Sequence, residues 1–191
     1  MMKDRPTQRS GGGIVSRSGQ RSGPRDVDAD NLPELMRGWR RRWASGVAVA
    51  TARAADGSLR GITLTAVMPV SLDPPYLAFA LALEGEFLGI VRGADACCVH
   101  IVDRDQEFLS ERFAGRAPLP DGIFTGVPYE MRGGLPVLAG VSAWAMGSVE
   151  RIDATGDHAL VILQVTAAGI GQDTDDPLLS YEGRYRGIEA S

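Results

Sequence analysis

Three short segments of the sequence carry side chains whose types and spacing could form a ligand-binding site. In the first, GITLTAVMPVSLDPP, strand alternation places Thr63 and Thr65 on one face and Leu64 on the other. Two hydroxyls on one face can donate to a phosphate or a polyol chain, and the backbone of residues 69–71 could meet a flat ring. The alternative is a solvent-exposed threonine strip on a half-buried strand.

The second segment, DRDQEFLSERFAG, carries Ser110 and Arg112 between the apolar residues Leu109 and Phe113 of a predicted helix. A guanidinium and a hydroxyl close to core residues suit a phosphate, because Arg presents a fork of donors with a fixed charge. The alternative is an ordinary surface arginine that binds no ligand.

The third segment is GDH, residues 156–158, which separates two apolar runs. A Gly-Asp corner would place His158 at the mouth of a strand. An imidazole there can hydrogen-bond a bound ligand and can titrate near neutral pH. The alternative is a polar residue that only begins the strand.

Other common catalytic and metal-binding patterns are missing from the sequence. There is no GxGxxG after a strand, no GxxxxGK[ST] loop and no GxSxG elbow. His100 and His158 are 58 positions apart with no Cys or carboxylate nearby at ligand spacing, so we predict no metal site. Cys97 and Cys98 are adjacent in an apolar run, where we expect small core residues.

Length and composition indicate one folded domain. The chain has 191 residues, a mass of 20.3 kDa and 44% apolar residues, which is enough for one sizeable core. Its formal net charge of -4 argues against nucleic acid as the main partner. No apolar run approaches the roughly 20 residues that span a bilayer. We therefore expect no membrane segment and a cytoplasmic protein.

The charge is unevenly distributed along the chain. Residues 1–60 carry 12 Lys and Arg against 6 Asp and Glu, so the remaining residues are strongly acidic. The first part of this basic region is rich in Arg, Ser, Gly and Gln with almost no apolar residue. We therefore predict a disordered basic arm over 1–30 and a folded domain over 31–191.

The segment LPELMRGWRRRWASG predicts an amphipathic helix ending near Gly46. Leu32, Leu35, Trp39 and Trp43 follow one another at steps of three or four residues, with arginines mostly elsewhere. The arginine run could bind nucleic acid or a membrane, but the pattern favours a solvated helix face.

After Gly46 the pattern changes to short β-segments separated by Gly, Pro and Asp. The Asp73-Pro74-Pro75 sequence predicts a loop, because consecutive prolines lack amide donors. Asp103 and Gln106 fit a capping box at the start of a helix. The absence of βαβ alternation favours an antiparallel barrel over a Rossmann sheet. The predicted strands are 47–53, 59–67, 77–83, 96–102, 142–152 and 159–170, and the predicted helical segments are 86–92 and 104–114.

Taken in order, these segments resemble the flavin reductase-like family of FMN-binding split barrels, the small components of two-component monooxygenases. The resemblance covers residues 32–188 and depends on the number, order and spacing of the motifs. The motifs are SGVAVATA, GITLTAVMPVSLDPP, CCVHIV followed by DQEFLSERFAG, IFTGVPYE, GLPVLAGVSAWAMGSVE, GDHALVILQV and PLLSYEGRYRGI.

The resemblance implies a mainly β fold, a six-stranded antiparallel split β-barrel with flanking helices. It also implies a homodimer that binds FMN or FAD between its subunits. His158 of the GDH motif is implied to bind the nicotinamide and the flavin, and it is our candidate catalytic residue. The residues implied to contact the flavin are Thr63, Leu64, Thr65, Ala66, Pro69, Val70, Ser71, His100, Ile101, Ser110, Arg112, Phe113, Tyr185 and Arg186. Of these, Ser110 and Arg112 match positions near the phosphate, and Tyr185 and Arg186 match residues that close the pocket.

The chain departs from the family pattern at three places. Family members commonly have Asn-Ser where this chain has Thr65-Ala66, Thr-Ser where it has Met68-Pro69, and Asn where it has His100. Fewer side-chain donors are therefore expected near the ring system.

We predict an NAD(P)H-dependent flavin reductase that takes hydride from NADH or NADPH and supplies reduced flavin to a partner monooxygenase. Such an enzyme needs no acid–base pair, because the flavin accepts the hydride and the protein holds the two rings in contact. The main alternative is a split-barrel flavoprotein that retains its flavin and catalyses its own redox or oxygenation step. A flavin or haem binder without catalysis is a third possibility.

Overall fold

The computed structural model describes residues 31–117, 121–171 and 176–188, so the predicted arm over 1–30 lies outside the described residues. The helices in these ranges are α1 (Leu32–Arg42), α2 (Glu86–Ala94) and α3 (Glu107–Phe113), and a 3-10 turn, Arg104–Gln106, precedes α3. The strands are β1 (Ser45–Gly46), β2 (Ala48–Arg53), β3 (Leu59–Leu64), β4 (Val67–Leu72), β5 (Pro75–Ala82), β6 (Ala96–Ile101), β7 (Tyr129–Arg132), β8 (Leu135–Leu138), β9 (Ala143–Thr155), β10 (His158–Ile170), β11 (Leu179–Tyr181) and β12 (Arg184–Arg186).

Seven strands form one antiparallel sheet in the order β3-β2-β6-β9-β10-β5-β4. β3 and β4 are its two edges, yet β3 ends at Leu64 and β4 begins at Val67. A flat sheet of this size would be about 29 Å wide, whereas the connection between those residues extends to only about 11 Å. The sheet therefore curves until the end of β3 lies near the start of β4, which gives a barrel split between these two strands.

β2 is covered by apolar side chains on both of its faces. Its alternate residues Ala48, Ala50 and Ala52 belong to the cluster inside the barrel. Val49, which points the other way, belongs to a second cluster, with Phe113 of α3. A strand buried on both faces has a nearly continuous apolar sequence, as in SGVAVATA. Helix α3 is thereby fixed against the outside of the barrel.

α2 packs against the barrel interior, and both cysteines are buried. Phe87, Leu88 and Val91 of α2 are buried in the same cluster as Cys97. Burial raises the pKa of the Cys97 thiol to about 12, and it raises the pKa of Cys98 further. The prediction that both are core residues is confirmed.

The predicted mainly β fold is confirmed, and each predicted strand and helix is present with bounds that differ by a few residues. Asp103 and Gln106 form the predicted capping box. The prediction of six strands is wrong by one, because residues expected to leave the sheet after 67 form β4. Pro69 lies in this edge strand, where a missing amide donor breaks no interior ladder bond. The predicted loop shortens to a two-residue turn, since Leu72 pairs with Pro75.

α1 forms but ends at Arg42 and not near Gly46, and its apolar face is not covered by the described residues. None of its side chains is buried, and Trp39 and Trp43 are 57% and 62% exposed. The helix is attached to the C-terminal hairpin of β11 and β12, where the Glu182 amide donates to the Arg41 carbonyl at 2.7 Å. Among the described helices, none combines the length and apolarity that crossing a membrane requires.

Candidate active site

A cleft of about 680 Å3 lies at the split of the barrel, under α1. The predicted site residues Thr63, Leu64, Thr65 and Ala66 line it, together with His158. Thr65 and Ala66 are the residues that connect the two edges of the sheet. The closure of the barrel therefore creates the cleft and brings these five residues together.

His158 begins β10, directly after a two-residue turn. Thr155 and His158 pair across the hairpin, and Gly156 adopts φ 63, a left-handed conformation that suits glycine. The Nδ1 atom of His158 lies 2.7 Å from the Asp157 carboxylate. This hydrogen bond lowers the pKa of Asp157, and the positive charge of Arg40 also lowers it. The histidine side chain is 43% exposed, so its other ring nitrogen can meet a ligand in the cleft.

A chain of hydrogen bonds joins β3, α3 and β12 beside the cleft. The Thr63 hydroxyl donates to the Ser110 carbonyl at 2.6 Å, and the Ser110 hydroxyl lies 2.7 Å from the Tyr185 hydroxyl. Burial raises the pKa of Tyr185. Tyr185 also lines a neighbouring cavity of about 510 Å3 with Thr63, Thr65 and Arg116. Ser110 is fully buried, so it positions Tyr185 and does not itself face the cleft.

Trp39 of α1 and Trp43, the residue that follows α1, form an aromatic wall of the cleft that was not predicted from the sequence. The rings of Trp39 and Trp43 stack with centroids 5.4 Å apart and an interplanar angle of 13°. Both line the cleft that contains His158 and the Thr63–Ala66 segment. Their four-residue spacing was the available signal, but it equally predicts a helix face turned toward a core.

His100 is placed in the protein interior. It is fully buried, with Nδ1 2.9 Å from the Val49 carbonyl and Nε2 3.1 Å from the Leu138 amide. The amide must donate to Nε2, so Nδ1 carries the proton and donates to the carbonyl. Burial lowers the pKa of His100 to about 4, which keeps the ring neutral. The imidazole is satisfied by protein groups and does not extend into the cleft.

Several other predicted residues are not among those that line the cleft. Arg112 donates from Nη1 to the Thr125 carbonyl at 2.6 Å, and its buried Nε has no hydrogen-bond partner within the described residues. Phe113 packs edge to face on Phe124, with ring centroids 5.2 Å apart. Ile101, at the end of β6, is 47% exposed. Pro69, Val70 and Ser71 follow along β4.

Arg186 lies in a separate groove between α1 and the C-terminal hairpin. We call this the arginine groove; its volume is about 690 Å3. The residues that line it are Glu34, Arg37, Gly38, Arg40, Arg41, Arg42, Glu182, Arg184 and Arg186. Arg40 and Arg41 also line the cleft, so the two spaces adjoin.

The side chains of the cleft fit a ligand that combines a flat ring with a polar chain. Stacked indoles offer apolar faces, Thr63 and Thr65 offer hydroxyls, and Arg40 and Arg41 offer positive charge. Volumes of 300–1,000 Å3 are typical of small-molecule sites. These features match a flavin or a nicotinamide better than a small hydrophilic substrate.

Comparison with known protein families supports this interpretation. Residues 40–189 match the family model described as "Flavin reductase like domain". An NADH:FMN oxidoreductase from Rhodococcus qingshengii is 33% identical over 150 residues, which are 76% of each chain. The reductase component of 4-hydroxyphenylacetate 3-monooxygenase from Thermus thermophilus is 33% identical over 76% of this chain and 89% of its own.

Solved structures give the same result for the fold. The flavin reductase PheA2 superposes with a TM-score of 0.75 at 31% identity, covering 86% of this chain and 100% of its own. The styrene monooxygenase flavin reductase from Pseudomonas putida S12 gives a TM-score of 0.73 at 28% identity, covering 82% of this chain and 99% of its own.

Proposed function

Because the chain belongs to the flavin reductase-like family, we propose that it is an NAD(P)H-dependent flavin reductase that supplies reduced flavin to a separate monooxygenase. The observation that carries the proposal is the cleft at the barrel split, which joins the Thr63–Ala66 segment, His158 and the two indoles. Relatives named as reductase components of monooxygenases support an oxygenase as partner.

Each part of the cleft has a separate task in this proposal. A bound flavin, FMN or FAD, supplies the redox chemistry by accepting hydride from NADH or NADPH. Thr65 and the backbone of the β3–β4 connection position its ring, and the tryptophans cover one face. His158 donates or accepts a hydrogen bond at the edge of the nicotinamide or the flavin. Tyr185, held by Ser110, closes the neighbouring cavity, which shares Thr63 and Thr65 with the cleft.

We further propose that the active form is a homodimer. The apolar side chains of α1 are exposed in the described chain: Leu32, Leu35, Met36, Trp39 and Trp43. Apolar groups aligned on one side of an exposed helix are typical of a surface that another chain covers. A second copy is the partner that the family resemblance implies, and it would cover α1 and the mouth of the cleft together.

The decisive experiment is steady-state oxidation of NADH and NADPH with free FMN or FAD added. A flavin reductase should show a rate that depends on the concentration of free flavin. A purified protein with tightly retained flavin, whose rate does not change when free flavin is added, would support the self-contained flavoprotein instead. No reduction of any flavin by either nicotinamide would contradict both.

A further inference from the structure

The arginine groove is a concentrated positive region on a chain whose formal net charge is -4. Six arginines and two glutamates line it, an excess of four positive charges. Gly38 is the only other lining residue in the part of the chain that the structure describes, and no apolar side chain of that part faces the space. Such a groove suits an anionic group, and it offers no apolar surface to a flat ring.

Few of these arginines are neutralised by protein carboxylates. Arg37 forms an ion pair of 2.8 Å with Glu34. Arg41 and Arg42 donate to backbone carbonyls of Glu182 and Gly38, at 3.4 and 3.2 Å. In residues 31–117, 121–171 and 176–188 the remaining arginines of the groove form no ion pair with a carboxylate. Their donors are thus available to an external anion.

The position of the arginine groove relates it to the cleft. Arg40 and Arg41 line both spaces, and Arg184 lines the groove and the cavity that contains Tyr185. A molecule with its ring in the cleft and a long anionic extension could therefore occupy both.

We propose that the arginine groove binds the adenosine diphosphate moiety of a dinucleotide substrate. The inference depends on the proposed function, since it assumes a redox-active ring in the cleft. A guanidinium donates two parallel hydrogen bonds to phosphate oxygens, and several guanidiniums together match a diphosphate. FMN ends at a single phosphate, whereas FAD and the nicotinamide dinucleotides continue into an adenosine diphosphate. The groove thus favours dinucleotides over FMN.

The first test compares substrates in the variant Arg37→Gln/Arg42→Gln. These two arginines line the groove but not the cleft, and the charge-matched control is Arg53→Gln/Arg92→Gln on distant exposed positions. We expect KM to rise about tenfold, because the variant loses charge-assisted hydrogen bonds to the phosphates. Solvent screening of these exposed positions keeps the expected rise from being larger. The rise should shrink in 0.3 M salt, because exposed charges are screened over about 10 Å or less.

The substrates identify which dinucleotide occupies the groove. A higher KM for FAD with unchanged KM for FMN assigns the groove to the flavin dinucleotide. A higher KM for NADH and NADPH with unchanged flavin values assigns it to the nicotinamide dinucleotide. Equal rises in KM for FMN and FAD, with the KM for NADH unchanged, would assign the groove to the 5′-phosphate of the flavin and overturn the proposal. KM values that are unchanged for every substrate would also overturn it.

A second test separates this inference from the proposed function. Adenosine 5′-diphosphate carries the phosphates but no redox ring, so calorimetry can measure its binding without turnover. We expect binding to the wild-type protein and to the control variant, and at least tenfold weaker binding to Arg37→Gln/Arg42→Gln. If no flavin is reduced, the proposed function fails while this result still decides the inference. Equal binding by all three proteins would overturn it.

Discussion

The hydroxyl oxygens of Ser110 and Tyr185 lie 2.7 Å apart and connect α3 to the C-terminal hairpin. Ser110 is fully buried, so its hydroxyl needs a hydrogen-bond partner within the protein, and the Tyr185 hydroxyl provides one. The same serine accepts a hydrogen bond from Thr63 through its carbonyl. The contact therefore links β3, whose Thr63 lines the cleft, to β12 of the C-terminal hairpin.

Tyr185→Phe should destabilise the protein by about 1 kcal/mol, because the Ser110 hydroxyl loses its partner. The urea midpoint of unfolding measures this change. Ser110→Ala and the double variant complete a mutant cycle, in which we expect a coupling energy of about 1 kcal/mol. A coupling energy near zero would show that the two hydroxyls do not stabilise each other.

His158→Ala should reduce kcat/KM for nicotinamide oxidation by roughly 2- to 100-fold. Losing one neutral hydrogen bond costs about 0.5–1.5 kcal/mol and a charge-assisted one about 1.5–3 kcal/mol, and about 1.4 kcal/mol is tenfold in rate. The loss should not be total, because the flavin performs the redox chemistry. His158→Gln is the control, since it retains a hydrogen-bonding group. Wild-type kinetics for both nicotinamides with a melting temperature several degrees lower would make His158 a structural strand end.

Trp39→Ala should raise KM for flavin by roughly 2- to 12-fold, since stacking contributes about 0.5–1.5 kcal/mol. Trp39→Phe keeps an aromatic face and should remain close to the wild type. Flavin should also quench the tryptophan fluorescence of the wild-type protein, and less so in the alanine variant. Equal KM values for the three proteins would remove Trp39 from the site.

Stability should fall as the pH is lowered from 7.5 to 5.5, in part because of His100. Its pKa is about 4 in the folded protein against an ordinary 6.5. Between these values the unfolded chain binds the proton and the folded chain does not, so acid favours unfolding. The contribution over this pH range is roughly 1 kcal/mol. Urea unfolding at several pH values measures it.

His100→Asn is the informative variant for this pH dependence. It removes the titrating group, so its stability should change less with pH than that of the wild type, whatever its absolute stability. An identical slope for the two proteins would show that His100 does not titrate as proposed.

Light scattering at micromolar concentration should give about twice the chain mass of 20.3 kDa. Leu35→Glu places a charge on the exposed apolar face of α1 and should shift the protein toward the monomer. Arg92→Glu, on α2, adds a negative charge elsewhere and should remain dimeric. A wild-type monomer that still binds flavin would contradict the proposed dimer.

The elements that the sequence predicted well are those with a strong local pattern. β2 is buried on both faces, burial alternates along the first half of β10, and Asp103 with Gln106 is a local capping signal. β4 was missed because a proline inside a strand is acceptable only at an edge, and edge position is a property of the whole sheet. The β7–β8 hairpin had a usable signal in Gly133-Gly134, whose positive φ angles form its turn.

Site residues that belong to a strand with a clear sequence pattern could be predicted. Residues whose orientation depends on packing against distant parts of the chain could not. Thr63 and His158 lie in strands that the sequence predicted, and Thr65 follows directly after β3, which ends at Leu64 and not at the predicted residue 67. The orientation of His100 depends on carbonyl and amide groups from Val49 and Leu138, 51 and 38 positions away. The roles of Trp39 and Trp43 depend on whether a ligand or another protein surface covers them. Their helical spacing is the same in both cases.

Pro69 also governs how copies of this protein can meet. It interrupts the amide row of β4, and the pairing with β5 is irregular between Pro69 and Ser71. An edge strand with exposed Met68, Val70 and Leu72 would otherwise be an attractive template for a strand from another molecule. A missing donor and a bulge prevent continuous pairing there. The outer edge of β4 is therefore a poor template for a strand from another molecule, although its side chains are apolar and exposed.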